Sequence, residues 1–270
     1  MHKALYRSYR PQNFEDVVGQ EHIIRTLKNQ IENNNVGHAY LFSGTRGTGK
    51  TSTAKIFARA VNCENSINQE PCNECEVCRD ILNDNVMDVV EIDAASNNSV
   101  DDIRELRESV KYSPTKAKYK VYIIDEVHML STGAFNALLK IIEEPPVHLL
   151  FILATTDPQK VPVTVLSRCL QFTLRNMTPA GIVEHLEFIL GKEGIEYERP
   201  GLRLIAEGAR GSMRDALSLL DQAIAFSGGK VTDGAVRSML GLSSANALSA
   251  ILRALAAGDA AQMIRLADEM

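Results

Sequence analysis

Three groups of residues have the types and spacing to do chemistry. Gly44-Thr45-Arg46-Gly47-Thr48-Gly49-Lys50-Thr51 fits the pattern G-x-x-x-x-G-K-[ST] at every fixed position. Such a loop, set between a strand and a helix, aims backbone N–H groups at phosphate oxygens, where a helix N-terminus favours negative charge. Lys50 is placed to reach the outer phosphates, and the Thr51 hydroxyl to hold Mg²⁺. About 75 residues later, Asp125-Glu126 ends an apolar run, Val121-Tyr122-Ile123-Ile124. Two acids at the end of a strand are a weak sign alone and a strong one after a phosphate loop. Asp125 then suits the Mg²⁺, and Glu126 suits a water to be activated. The third group is Cys63, Cys72, Cys75 and Cys78. Three of these are spaced C-x2-C-x2-C, and together they have the thiolate count of a closed, structural zinc site. Iron–sulfur clusters also take four cysteines, though their usual runs are spaced differently. Cys169, far along the chain, reads as a small buried residue.

The surrounding sequence supplies the elements such groups need. Ala39-Tyr40-Leu41-Phe42-Ser43 reads as a buried strand, and Ala54, Ile56, Phe57 and Ala60 give a helix after the glycine loop. Strands are expected at 89–93, 119–124, 149–154 and 170–174. The run Leu149 to Ala154 is apolar throughout, as in a strand buried on both faces. Helices fall between them, with Ser99 as an N-cap and Pro145-Pro146 as a stop. Phe14, Val17 and Val18 suit either plain core or a pocket for a base. His128 reads as a packing histidine, and Arg168, taken alone, as a surface charge. Lys111, Lys116, Lys118 and Lys120 read as a solvated cluster. From Thr178 onward the pattern is helical only, with stops expected at Gly191, at Ser227-Gly228-Gly229 and near Gly241. Two further helical patterns, 244–257 and 259–270, follow. The last ends in mid-pattern, so a longer natural chain is expected.

At 270 residues the chain has room for about two domains. Its hydrophobic fraction of 45% and charged fraction of 23% are those of a globular protein. No membrane-length apolar run and no signal-peptide core occur, so a cytoplasmic location without a membrane partner is expected. A net charge of −5 argues against holding nucleic acid by bulk electrostatics alone.

With these residues in view the chain resembles the AAA+ ATPases, and most closely their bacterial clamp-loader branch. The likeness runs over essentially the whole chain. It rests on the phosphate loop, the four-cysteine insertion, Asp125-Glu126-Val127-His128, Ala154-Thr155-Thr156-Asp157-Pro158-Gln159-Lys160, Ser167-Arg168-Cys169 and Gly211-Ser212-Met213-Arg214-Asp215. The resemblance implies an α/β fold with a five-stranded parallel sheet in the order 5-1-4-3-2. It implies an ATPase domain over 1–177 with a zinc-binding insertion at about 62–80. A helical lid over 178–241 follows, then the start of a helical collar over 242–270.

ATP with Mg²⁺ would be held by Gly44, Thr45, Arg46, Gly47, Thr48, Gly49, Lys50, Thr51, Ser52 and Asp125. By the same resemblance Tyr9, Arg10, Pro11, Val17 and Val18 hold adenine. Thr156, with Thr155 beside it, reads the γ-phosphate, and Arg214 reaches the nucleotide from the lid. Arg168 acts as an arginine finger in the neighbouring subunit's site. The implied partners are the other subunits of a five-membered ring, a sliding clamp and primer–template DNA. Asn97-Asn98-Ser99 falls where a DNA contact is expected, although that stretch has no basic residue. Two rivals remain open: another AAA+ machine, such as a branch-migration helicase, and a stator-like subunit that binds nucleotide without hydrolysing it. The cysteine insertion argues against the first, and the intact Lys50, Thr51, Asp125 and Glu126 against the second.

Overall fold

The computed structural model describes residues 4–83, 87–242 and 253–268. Five strands form one sheet: β1 (Ala39–Ser43), β2 (Val89–Asp93), β3 (Lys120–Asp125), β4 (Leu149–Thr155) and β5 (Leu170–Thr173). They pair in the order β2-β3-β4-β1-β5, every pair parallel, as the resemblance implies. Parallel neighbours need crossovers, and helices provide them. These are α3 (Lys50–Asn62), α4 (Glu76–Leu82), α5 (Val100–Ser109), α6 (Thr132–Glu143) and α7 (Val163–Leu166), while α1 (Leu5–Ser8) and α2 (Glu21–Glu32) precede β1.

The period-two alternation of the strands divides the core into two layers. Leu41, Tyr122, Ile124, Leu149, Phe151 and Leu153 pack with Ile103 and Leu106 of α5 and with Phe135, Leu138 and Ile142 of α6. On the other face Tyr40, Phe42, Val121, Ile123, Leu150 and Ile152 pack with Leu27 of α2 and with Ala54, Ile56 and Phe57 of α3. Each such side chain taken fully from water contributes about 1.5–3 kcal/mol. Because both faces are covered, all seven residues of β4 are buried. The register brings the strand ends to one edge: Ser43 lies opposite Thr155 and Thr173, and Asp93 opposite Asp125. That C-terminal edge is where open α/β sheets bind ligands.

By contacts the chain divides into two compact units, one of them Arg7–Thr178 together with Gly211–Arg214. The other holds most of the later helices: α8 (Pro179–Glu193), α9 (Arg199–Gly208), α10 (Met213–Ser227, from Asp215 onward), α11 (Asp233–Leu240) and α12 (Ala260–Asp268). Its core includes Ile182, Leu186, Ile189, Leu202, Ile205, Leu217, Leu220 and Val236. Two sequence expectations are corrected here. Helix α8 does not stop at Gly191 but runs to Glu193, ending before Gly194 at φ +68°. The region is also not purely helical, since Glu196–Tyr197 (β6) pairs in parallel with Lys230–Val231 (β7). Most of the helix expected over 244–257 lies outside the described residues. No helix among the described residues is long and apolar enough to cross a membrane.

Candidate nucleotide and metal sites

Residues 44–49 leave β1 as a loop and re-enter regular structure at α3. Two of its glycines are required by close approach. A Cβ on Gly44 (φ +150°) would lie 2.7 Å from the Leu174 carbonyl oxygen. One on Gly47 (φ +76°) would lie 1.9 Å from Ser212 Oγ. The same position on Gly47 is 3.4 Å from the Arg214 Cβ, so the 211–214 segment packs against the loop. The loop is tied to the sheet by Gly44 N–H donating to the Thr155 carbonyl (3.3 Å), and to Asn176 through the Thr45 hydroxyl. Within it, Thr48 Oγ1 donates to the Thr45 carbonyl at 2.9 Å.

Lys50 opens α3 and is buried, with Nζ donating to the carbonyls of Gly44 and Thr45, both at 2.9 Å. Burial pulls its pKa below the usual lysine value, against the opposing pull of Glu126 and Asp125. Both acids are therefore close enough to act on the ammonium. Thr51 Oγ1 donates to Asp125 Oδ2 at 2.7 Å, joining the helix start to the end of β3. A hydroxyl and a carboxylate oxygen in contact are hard oxygen donors of the kind Mg²⁺ takes.

Glu126 adopts a left-handed backbone conformation, φ 47° and ψ 45°. Its Oε2 accepts two hydrogen bonds from Thr156, from the backbone N–H at 3.1 Å and from Oγ1 at 2.8 Å. His128, on the turn after Glu126, lies with Nδ1 2.9 Å from Thr155 Oγ1 and 3.4 Å from Glu126 Oε2. Thr155 Oγ1 also accepts from the Asp157 N–H at 3.0 Å. Lys50, Thr51, Asp125, Glu126, Thr155 and Thr156 therefore form one connected group at the C-terminal sheet edge. His128 touches this group as a largely buried, hydrogen-bonded side chain, in keeping with its reading as a packing histidine.

Among the residues expected to hold a base, Arg10 Nε donates to Ser52 Oγ at 3.2 Å, on the first turn of α3. Val17 is buried and belongs to the core layer with Phe14, whereas Tyr9, Pro11 and Val18 are half-buried. Arg46 is exposed at the tip of the loop. Arg168 lies elsewhere, on the exposed turn between α7 and β5. There it pairs with Glu143 (Nη2 to Oε1, 2.9 Å) and donates from Nη1 to the Thr164 carbonyl at 2.7 Å.

Cys63, Cys72, Cys75 and Cys78 bring their sulfurs within 4.8 Å of one another. All four are free thiols. Tetrahedral zinc with Zn–S near 2.3 Å needs sulfurs about 3.8 Å apart, so the set fits such an ion. Backbone N–H groups donate to sulfur within the ring: Cys72 to Cys63 at 3.3 Å, Cys75 to Cys72 at 3.2 Å and Cys78 to Cys75 at 3.4 Å. Burial pushes the Cys63 and Cys78 thiols up. At Cys72 burial is outweighed by N–H groups of Cys75 and Glu74, leaving it at about 7. Cys169 stands apart, packed against the core, with burial pushing its thiol up to about 11. Of the clustered lysines, Lys111, Lys116 and Lys118 are exposed, as expected of a solvated cluster, and only Lys120 is buried. Lys116 pairs with Glu76 and Asp80, Lys111 with Glu108, and the buried Lys120 donates to the Ser109 carbonyl.

The family model for the DNA polymerase III, delta subunit, matches residues 19–178. The model for the DNA polymerase III clamp loader subunit ATPase lid domain matches residues 181–229. The DNA polymerase III subunit tau of Bacillus subtilis (strain 168) is 60% identical over 227 residues, covering 84% of this chain and 40% of that protein. Subunit tau of Escherichia coli (strain K12) is 49% identical over 268 residues, covering 99% of this chain and 42% of that one. The chain thus spans about two fifths of the length of these curated relatives. Among solved structures, the Holliday junction branch migration motor RuvB of Thermotoga maritima superposes with a TM-score of 0.64 at 18% identity. That match covers 92% of this chain and 79% of that one, and it shows the fold alone. High identity over nearly the whole chain, with the matching core and lid models, shows the family: this chain belongs to the gamma/tau family of DNA polymerase III clamp loader subunits.

Proposed function

We propose that the chain is the ATP-binding and ATP-hydrolysing motor part of a bacterial replicative clamp loader. It would couple ATP binding and hydrolysis to opening a sliding clamp and loading it on primer–template DNA in the cytoplasm. The observation that carries this reading is the contact chain Thr51–Asp125, Glu126–Thr156 at the mouth of the phosphate loop. A subunit that only bound nucleotide would have no use for a carboxylate held by a neighbouring strand.

The residues divide the work. Backbone N–H groups of residues 44–51 cradle the phosphates, and Lys50 exchanges its two loop carbonyls for phosphate oxygens. Thr51 and Asp125 would hold Mg²⁺, which when bound offsets charge building on the phosphates. Glu126 polarises the attacking water by accepting its proton-side hydrogen bond. Thr156, already on the Glu126 carboxylate, links that base to the state of the γ-phosphate. Arg214, beside Gly47, adds a positive charge from the lid side, and the Arg10, Tyr9, Pro11, Val17 and Val18 segment receives the base. Arg168 completes the site of the next subunit, where such a finger contributes ~10³–10⁵ in rate. The four cysteines would hold a structural Zn²⁺, with no open position for chemistry.

The organisation we propose is an ATPase domain over 1–177, a lid over 178–241 and, from 242, the start of a collar that joins five subunits in a ring. A ring of acidic subunits can still hold DNA if each contributes a few phosphate contacts, Asn97-Asn98-Ser99 among them. The test is ATP turnover by the full-length chain within its complex. Clamp plus primer–template should raise the rate above that of the complex alone. A rate unchanged by both would contradict the reading.

A further inference from the structure

The segment expected to hold the base is fastened on two sides, and one of those sides is the metal-binding insertion. Ser52 and Arg59 are seven residues apart on α3 and so lie on one face of it. The chain from Arg10 to Asn13 runs along that face. Arg10 Nε donates to Ser52 Oγ at 3.2 Å, and Arg59 Nη2 donates to the Gln12 carbonyl at 2.7 Å. Arg59 is only 3% exposed, so its hydrogen bonds are made in a largely water-free setting.

The other side is supplied from among the cysteines. Asn73 sits between the ligands Cys72 and Cys75, in a left-handed conformation at φ 58°. Its Oδ1 accepts from Arg59 Nε at 3.1 Å, and its Nδ2 donates to Asn13 Oδ1 at 2.7 Å. One side chain thus holds both the buried arginine and the entry segment. Two residues before Cys72, Glu70 does the same further along. Its Oε2 accepts from the Phe14 N–H at 2.8 Å, and its Oε1 pairs with Lys28 Nζ at 2.6 Å. A structural ion would fix Cys72 and Cys75, and between them the strained backbone of Asn73.

We propose that the cysteine insertion is the outer buttress of the base-binding edge. Asn73 and Arg59 are its positioning residues, so that metal occupancy and nucleotide affinity are thermodynamically linked. The inference rests on the nucleotide-site reading above, with residues 9–18 at the base. Couplings between sites commonly amount to ~5–150-fold in affinity, and linkage requires the two effects to be equal. Removing the metal should weaken nucleotide binding by about tenfold, within that range. Bound nucleotide should raise zinc affinity by the same factor.

The experiment uses the full-length chain loaded with zinc and two readouts that need no turnover. One is the affinity for a fluorescent ATP analogue. The other is zinc affinity by competition with a chromogenic chelator, with and without ATP. Asn73→Ala, which leaves all four thiols in place, should keep its zinc but bind the analogue more weakly, and its zinc affinity should no longer respond to ATP. It also covers the case in which stripping the metal unfolds the chain. If Asn73→Ala binds the analogue like the wild type, or if wild-type zinc affinity ignores ATP, the coupling is overturned and the site reading stands. If the zinc-loaded wild type binds no analogue at all, the site reading falls and the coupling with it.

Discussion

Glu126 holds a backbone conformation that few side chains accept, left-handed at φ 47°, and such strain costs roughly 1–3 kcal/mol. The return is orientation: the turn swings the carboxylate across to β4, where Thr156 meets it with two donors. Lys50, Thr51, Asp125 and Glu126 were legible in the sequence because their chemistry fixes their spacing. The Glu126–Thr156 contact was not, because it needs β3 beside β4 and a left-handed residue at the strand end. The His128–Thr155 contact was hidden for the same reason. Thr156→Val removes one of the two hydrogen bonds to the carboxylate. Turnover should fall about tenfold, the equivalent of one hydrogen bond to a charged group, while affinity for ATP changes little. Steady-state kcat and equilibrium binding, measured on the same preparation, check this. An unchanged kcat would remove Thr156 from the catalytic network.

At the scale of elements, strands and helices were legible wherever an apolar period ran long enough, as in β4 and α6. What escaped was short or set by tertiary contact. Two-residue strands such as β6 and β7 have no period to detect, and α4 is stabilised by the cysteine ring around its start. Gly191 misled because a glycine inside a helix costs only ~1 kcal/mol. The buried face through Ile189 and Leu190 outweighs it. Asp88 was equally invisible. It precedes β2 and accepts N–H groups from Thr115, Lys116 and Ala117 at 2.8–3.1 Å. Burial raises its pKa, but those N–H groups and Lys120 outweigh that and hold it below the usual 3.8. A depressed carboxylate contributes stability above its unfolded pKa and loses it as pH falls through the folded value. Wild type should therefore be more stable than Asp88→Asn at neutral pH, with the gap closing only below pH 3.8. Thermal midpoints across pH 2–7 would show it. A gap constant across the whole range would contradict the assignment.

For the whole molecule, composition gave only limits, and the strand order came from resemblance rather than from any pattern in the residues. The structure adds that Arg168 is occupied by Glu143 on an exposed turn, away from the connected group around Lys50. That placement suits a charge delivered to another copy. Subunits carrying Arg168→Ala mixed with subunits carrying Lys50→Ala should recover ATPase activity that neither has alone, since some interfaces pair an intact loop with an intact finger. No recovery at any ratio would count against action in trans. The central claim is narrower: ATP is hydrolysed at this loop with Glu126 as the base. Single-turnover hydrolysis by Glu126→Gln, beside its ATP affinity, tests that most directly. The account predicts wild-type affinity with hydrolysis slowed by about 10²–10⁴. Hydrolysis at the wild-type rate would contradict it.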